Sequence, residues 1–430
     1  MAKNIISNQA PKGTADWLPQ EFAIRNYIFS TWEKVCRSYG FERYLTPTLE
    51  NVDIYRAKSG EDIGGKELMV FVDQGGRELA LRPEMTPSVT RLVSRVYDSL
   101  PKPIRFFSIA NFFRNERPQR GRNREFWQLN CDIFGSDNIS SDIEILTLAL
   151  DLVLAFNPPR DSFALHLNSR HLIDGLLESL KLKAEQKIPV VRLLDKYAKL
   201  SADNFVGALE ELKLKNEQID EIIKFLSARN LDELIERLPA FVENRGYLEL
   251  KSIFSELESL GYGDYIEFNA SVIRGFDYYD GVVFEAFDKH PDNNRAMFGG
   301  GRYNGLSDIF GVKNFPAVGM APGDESTRLF LESWGLLEKL NLNSNDKLLF
   351  FPLLDKNLSL QTKKIAKHLR AEGYLLESSF EVVKLGKSLE YANKKEISNV
   401  VIFGGDEAAK NIYKIKDMKS GVEKEFKIKF

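Results

Sequence analysis

The sequence predicts an α+β protein: a mostly antiparallel sheet with packed helices, interrupted by an all-helical insertion and followed by a small α/β domain. Three observations predict it. Strand-like apolar runs cluster between Phe41 and Phe134 and return from Phe268 onward. From about Leu172 to Leu260 such runs disappear, and Leu, Lys, Glu and Ala recur at helical periods. Beyond residue 342 strand and helix signals alternate, as in a separate α/β unit. A chain of 430 residues has room for two or three domains at roughly 100–200 residues each. The expected boundaries are 1–168 and 263–340 for the two parts of the sheet domain, 169–262 for the insertion and 341–430 for the last domain.

Taken in order, Glu21 to Tyr39 places Ile24, Tyr27, Ile28, Trp32, Val35, Cys36 and Tyr39 on one helical face, with Gly40 as its stop. Phe41 to Pro47 reads as a short strand closed by proline. Strands are expected at Leu68–Val72 and Glu78–Leu81, then on both sides of an arginine-rich loop: Ile104–Phe113 and Phe126–Phe134 form an antiparallel hairpin. Ser140 opens a helix by its cap chemistry, and the pattern continues to Phe156. After the insertion, Phe268–Ile273 and Gly281–Phe287 read as strands, and Gly299-Gly300-Gly301 marks a close backbone approach. In the last domain Leu348–Leu354 and Val400–Phe403 read as buried strands, Leu358–Leu369 and Leu385–Lys395 as helices; Asn341 to Asp346 is the linker.

Composition excludes several classes. Hydrophobic content of 43% and aromatic content of 11% describe an ordinary globular core rather than a disordered chain. No apolar run reaches the roughly 20 residues needed to cross a bilayer, and the first residues lack a signal-peptide core. A cytoplasmic protein with no membrane contact is expected. Two cysteines (Cys36, Cys131) and four scattered histidines give neither a disulfide framework nor a metal cluster. The net charge of −3 conceals an asymmetry: residues 341–430 carry 17 Lys+Arg against 12 Asp+Glu. A basic last domain on an acidic body suits a local nucleic-acid contact.

The chemistry concentrates in an arginine-rich loop and three further blocks. Arg114, Arg117, Arg120, Arg122 and Arg124 put five guanidiniums within eleven residues, on the hairpin loop and strand ends. Their planar forks suit phosphate oxygens. On the returning strand Gln128, Asn130 and Asp132 alternate onto one face while Trp127, Leu129 and Cys131 take the other; a polar ligand explains such a face. Glu84 and Thr86 sit two apart just after a strand, and Val272 to Gly281 places Arg274 beside glycine with paired Tyr278 and Tyr279.

Together these blocks resemble the class II aminoacyl-tRNA synthetases, and within them the histidyl-tRNA synthetases, from about Pro11 to the C-terminus. Lys12-Gly-Thr-Ala-Asp-Trp17, the Phe41–Glu50 region, the Phe113–Gly135 hairpin, Arg274-Gly-Phe-Asp-Tyr-Tyr279, Gly299-Gly-Gly-Arg-Tyr-Asn-Gly305 and Ala317-Val-Gly-Met320 carry the resemblance. It implies a class II antiparallel core and an anticodon-binding domain from residue 342. It also implies ATP and Mg²⁺ as the reaction's small molecules, L-histidine and tRNA(His) as partners, and a homodimer. By the same resemblance Glu84, Thr86 and Gln128 would hold the α-amino group of histidine, and Asp132 and Tyr279 the imidazole. Tyr278 and Tyr303 would line that pocket. Arg114 would contact the α-phosphate of ATP, Arg122 and Arg124 the outer phosphates, and Arg274 both the substrate carboxylate and the α-phosphate. Arg117 and Gln119 would approach the acceptor end of the tRNA. The implied reaction is attack of the histidine carboxylate on ATP, then transfer of histidine to the tRNA 3′ end, with no protein nucleophile.

The chain departs from the family where a helix normally opens with Gly-x-Glu-Arg. Here Ser326 stands at the arginine's position, and Arg328, two residues on and about 200° round a regular helix, replaces it only if the helix starts late or bulges. A competing reading is a catalytically silent synthetase-like regulatory subunit of ATP phosphoribosyltransferase. Such proteins tend to lose the arginine at 274 and the last domain, and this chain keeps both.

Overall fold

The computed structural model describes residues 6–57, 62–273, 278–293, 295–340 and 348–428, and two units divide it at residue 340. In the first unit the predicted first helix runs Pro19–Ser38. It carries proline near its start, where a missing N–H costs nothing, and buries Ile28, Trp32 and Cys36. Eleven strands follow: β1 (Glu42–Arg43), β2 (Leu49–Asn51), β3 (Met69–Val72), β4 (Glu78–Leu81), β5 (Ile104–Phe113), β6 (Glu125–Phe134), β7 (Phe163–Ser169), β8 (Ile266–Phe268), β9 (Val282–Asp288), β10 (Ala296–Arg302) and β11 (Ala317–Met320). Eight of them make one sheet in the order β1-β5-β6-β11-β10-β9-β7-β8, antiparallel except at the β1–β5 and β7–β8 pairs. β2, β4 and β3 form a small antiparallel sheet in that order. This is the α+β architecture the sequence predicts.

The arginine hairpin is the longest ladder, pairing Ile104 with Phe134 at one end and Phe113 with Glu125 at the other. Its two faces differ, as strand alternation requires. Leu129, Cys131 and Ile133 pack with Ile28, Trp32 and Cys36 and with Ile145, Leu148 and Leu152 of the helix Ile139–Leu154. Burying each such aliphatic side chain contributes about 1.5–3 kcal/mol. Gln128, Asn130 and Asp132 point to the other side. The thiols of Cys36 and Cys131 meet at 3.3 Å inside the core, as a hydrogen-bonded pair and not a disulfide.

Several expectations shift. The helix expected from Ser140 starts one residue earlier, because the Asn138 side chain accepts from the Ser140 N–H at 2.9 Å and caps it. The expected strand Phe268–Ile273 is only Ile266–Phe268; Asn269 turns the chain by accepting from the N–H and hydroxyl of Ser271. The glycine run lies inside β10, not in a turn. A Cβ on Gly300 would stand 2.1 Å from the Gly319 carbonyl oxygen, so the close approach is to a neighbouring strand. At the end of β10, buried Arg302 forks onto Asp142 at 2.9 and 2.7 Å and donates to the Ser136 carbonyl. That brace ties the sheet to the helix Ile139–Leu154.

Helices from Arg170–Ser179 to Arg245–Ser259 fill the inserted segment, and their apolar faces join the core of the sheet domain. In the second unit β12 (Leu348–Leu353), β13 (Leu375–Val382), β14 (Asn399–Ile402), β15 (Ile412–Asp417) and β16 (Glu423–Lys427) pair in the order β13-β12-β14-β15-β16. β12 is parallel to both neighbours and buried on both faces: Leu349 and Phe351 pack with the helix Ser359–Ala371, Phe350 with the helix Leu385–Lys394. A continuous apolar run is what such a strand needs. Among the described residues no helix is long and apolar enough to cross a membrane.

Candidate active site

A cleft of about 1210 Å³ lies over the polar face of β6. Glu84 and Thr86 reach it because β4 ends at Leu81 and the helix Thr86–Val96 begins five residues later, so the connecting turn passes the cleft wall. Arg82 holds that turn. It is buried, donates to the carbonyls of Asn111 and Thr46 at 2.8 Å each, and lies over the Phe112 ring. Arg91, on the helix that follows, pairs with Glu50.

The cleft has two ends. At one, Asp132 and Glu84 are both buried carboxylates, and each accepts from a tyrosine hydroxyl: Tyr303 to Asp132 at 2.6 Å, Tyr278 to Glu84 at 3.0 Å. The rings of Tyr278, Tyr279 and Tyr303 meet around this end, Tyr278 tilted against Tyr279 and edge-on to Tyr303. Burial pushes the Asp132 carboxyl up to about 7, only partly opposed by the Tyr303 hydrogen bond. Burial likewise raises Tyr278 and Tyr303 far above the ordinary phenol range, so both remain neutral donors. Asp132 has room because Gly319 faces it across the β6–β11 ladder; a Cβ there would sit 2.0 Å from its Oδ1. Asn130 lines the cleft between Gln128 and Asp132, and Gln128 donates to the Ala321 carbonyl at 3.1 Å.

At the other end stands the arginine loop. Arg114 donates to the Pro83 carbonyl at 3.1 Å and lies over the Phe126 ring, next to the turn that carries Glu84. Arg120, Arg122 and Gln119 also line the cleft. Of the residues singled out from the sequence, Glu84, Thr86, Arg114, Gln119, Arg122, Gln128, Asp132, Tyr278, Tyr279 and Tyr303 therefore share one cavity. Three do not line it. Arg117 is exposed on the loop, Arg124 turns back to the Glu116 carbonyl at 3.2 Å, and Arg328 faces away. Arg274 lies outside the described residues.

The Arg328 expectation needs correction. The helix runs Asp324–Ser333 from its first turn, so it neither starts late nor bulges. Ser326 and Leu329 face the cleft, while Arg328 is held by Glu325 at 2.8 Å and Glu332 at 3.0 Å. The same helix start is clamped by Arg25 of the first helix, which pairs with Asp324 and Glu325 and covers the Trp17 ring at 3.7 Å. Among the cleft residues that sequence reasoning did not single out are Phe126, Lys199 and Arg295. Lys199 comes from the helical insertion and carried no local signal. Arg295 stood four residues before the glycine run, a proximity that was readable.

The chain is similar to known proteins along nearly its whole length. Residues 13–323 match the family model described as histidyl-tRNA synthetase, and residues 341–430 match that of the anticodon binding domain. The chain is 40% identical over 422 residues to the histidine–tRNA ligase of Leptospira biflexa serovar Patoc, covering 98% of this chain and 95% of that protein. It is 36% identical to the histidine–tRNA ligase of Methanocaldococcus jannaschii, covering 98% and 97%. The crystal structure of histidyl-tRNA synthetase from Nostoc sp. PCC 7120 superposes with a TM-score of 0.81 at 24% identity, covering 98% and 97%, a likeness of fold.

Proposed function

The chain belongs to the histidyl-tRNA synthetase family, is an ATP-dependent aminoacyl-tRNA ligase for histidine, and, we propose, carries out both steps in the cleft over β6. The observation that carries the assignment is the pair of buried carboxylates at one end, facing guanidiniums at the other. Histidine presents an ammonium, a carboxylate and an imidazole. Glu84, with Thr86 and Gln128, takes the ammonium. Asp132 accepts from the imidazole N–H, with Tyr303 holding the carboxylate and Tyr279 beside it. The substrate carboxylate is thereby left pointing toward Arg114, which is fixed one residue from Glu84 by its bond to Pro83.

The carboxylate attacks the α-phosphorus of ATP and pyrophosphate leaves. This is a displacement governed by positioning and charge neutralisation rather than by a protein nucleophile. Arg114 and Arg274 stabilise charge at the α-phosphate, and Arg122 holds the outer phosphates. Mg²⁺ would enter on the triphosphate and supply further charge neutralisation there. Among the described residues no cluster of three ligands could cage a metal, and single carboxylates such as Glu285 line the cleft, a donor set that suits an ion held chiefly by phosphate and water. The tRNA 3′ hydroxyl then takes the aminoacyl group, with Arg117 and Gln119 on the loop near the acceptor end and residues 341–430 gripping the anticodon. A homodimer working in the cytoplasm completes the reading.

ATP–pyrophosphate exchange with each of the twenty amino acids tests it: histidine alone should support exchange, and comparable exchange with another amino acid would refute the pocket assignment. Removing residues 341–430 should lower tRNA charging far more than exchange; an equal loss in both would deny the second unit its tRNA role. A regulatory-subunit reading has Ser326 in its favour, but the match of residues 341–430 to an anticodon-binding domain supports the ligase.

A further inference from the structure

Arg328 does not face the cleft and Ser326 is neutral, so the wall opposite the arginine loop lacks the cation expected from its helix. Another guanidinium stands on that wall. Arg295 lines the cleft just before β10, on the hairpin that joins β9 to β10.

The sheet register fixes which end of the cleft it occupies. Cys131 of β6 and Gly300 of β10 both stand opposite Met320 of β11, so these two residues are level and their strands run the same way. Arg295 lies just before β10, beyond a register shift between Ala296 and Phe298, on the side of Gly300 that corresponds to Phe126 on β6, and its Nη2 reaches Gln119 of the arginine loop at 2.7 Å. It is therefore at the end where Arg114 covers the Phe126 ring and the arginine loop begins, away from Asp132.

Its partners differ from those of the neighbouring cations. Arg122 pairs with Glu116, Arg25 with Asp324 and Glu325, and Arg328 with Glu325 and Glu332. Arg295 makes no ion pair among the described residues; its Nη2 donates to the neutral Oε1 of Gln119 at 2.7 Å, across the cleft mouth. An exposed, unneutralised guanidinium can turn to an anion at little cost. A fork of N–H donors fits phosphate oxygens better than a point charge does.

We infer that Arg295 is a further nucleotide-binding residue, gripping the outer phosphates of ATP from the wall opposite the arginine loop. The inference rests on the proposed reading of the cleft as the site of histidine activation. It assigns to the β9–β10 hairpin the role that Ser326 cannot fill, and makes the loop and this hairpin the two jaws on the triphosphate. When phosphate takes the Arg295 fork, Gln119 is released toward the incoming tRNA end.

The experiment is ATP–pyrophosphate exchange by the full-length protein and its Arg295→Ala and Arg295→Lys variants, with inhibition by AMP measured alongside. Loss of a charge-assisted contact should raise the KM for ATP about 10- to 100-fold. The KM for histidine and inhibition by AMP, which lacks the outer phosphates, should stay within about twofold, and lysine should recover part of the loss. An unchanged KM for ATP would overturn the inference. So would a parallel loss for AMP, which would mean that Arg295 serves the base or merely braces the loop. Wild-type protein that fails to exchange with histidine would instead sink the reading of the cleft, which keeps the two failures apart.

Discussion

Replacing Asp132 by asparagine should make the protein more stable and worse at its reaction. The carboxyl is buried, and burial raises it from 3.8 to about 7. A shift of about three units corresponds to about 4 kcal/mol at 1.36 kcal/mol per unit. The folded value lies above the unfolded one. The proton's stabilising contribution is therefore full below about pH 4 and is lost as pH rises through about 7. Above pH 7 the wild type carries a desolvated charge that Asp132→Asn does not, while the amide oxygen can still accept from Tyr303. Urea unfolding at pH 8 should favour the variant by up to about 4 kcal/mol. Lowering the pH to 5 should narrow that gap by about 3 kcal/mol, because the wild type regains its proton. Tryptophan fluorescence is a suitable probe, since all four tryptophans lie in the first unit. The KM for histidine should rise at the same time, the ring N–H having lost a charged acceptor. Identical pH dependence in the two proteins would refute the argument, because it would mean that Asp132 is not held near neutrality by burial.

Two further outcomes follow from the same geometry. Gly319→Ala drives a methyl into Asp132, so it should cost about 1–3 kcal/mol of stability and raise the KM for histidine more than that for ATP; equal kinetic effects would locate the damage elsewhere. Arg302→Met leaves Asp142 buried without its partner and should cost about 3–5 kcal/mol by urea unfolding. The double change with Asp142→Leu should recover most of that loss, and failure to do so would show that the brace matters for more than charge pairing.

Much of the fold was legible because it rests on local signals. The arginine hairpin, the first helix and the α/β character of the last unit all follow from the period of their apolar residues, and the observed elements agree to within a few positions. Alternation on β6 also marks its polar face in the sequence. What stayed hidden depends on long-range approach. Arg302 looks like part of a glycine motif, and only the meeting of β10 with the helix Ile139–Leu154 makes it a brace. Arg328 could be doubted from its angular position, but its capture by Glu325 and Glu332 needed the helix start to be seen. Lys199 reaches the cleft from a helical insertion, and no periodicity announces it.

The side-chain alternation of β6 gives the enzyme a built-in proofreading of its own assembly. A slip of one position along β5 would expel Leu129, Cys131 and Ile133 from the interior and force Gln128, Asn130 and Asp132 into it. A compact state shifted by a single step is disfavoured, since the error that would move the proposed histidine-contacting groups Gln128 and Asp132 also dismantles the hydrophobic interior. Packing of the buried face thus sets the alignment of the face proposed to meet the amino acid.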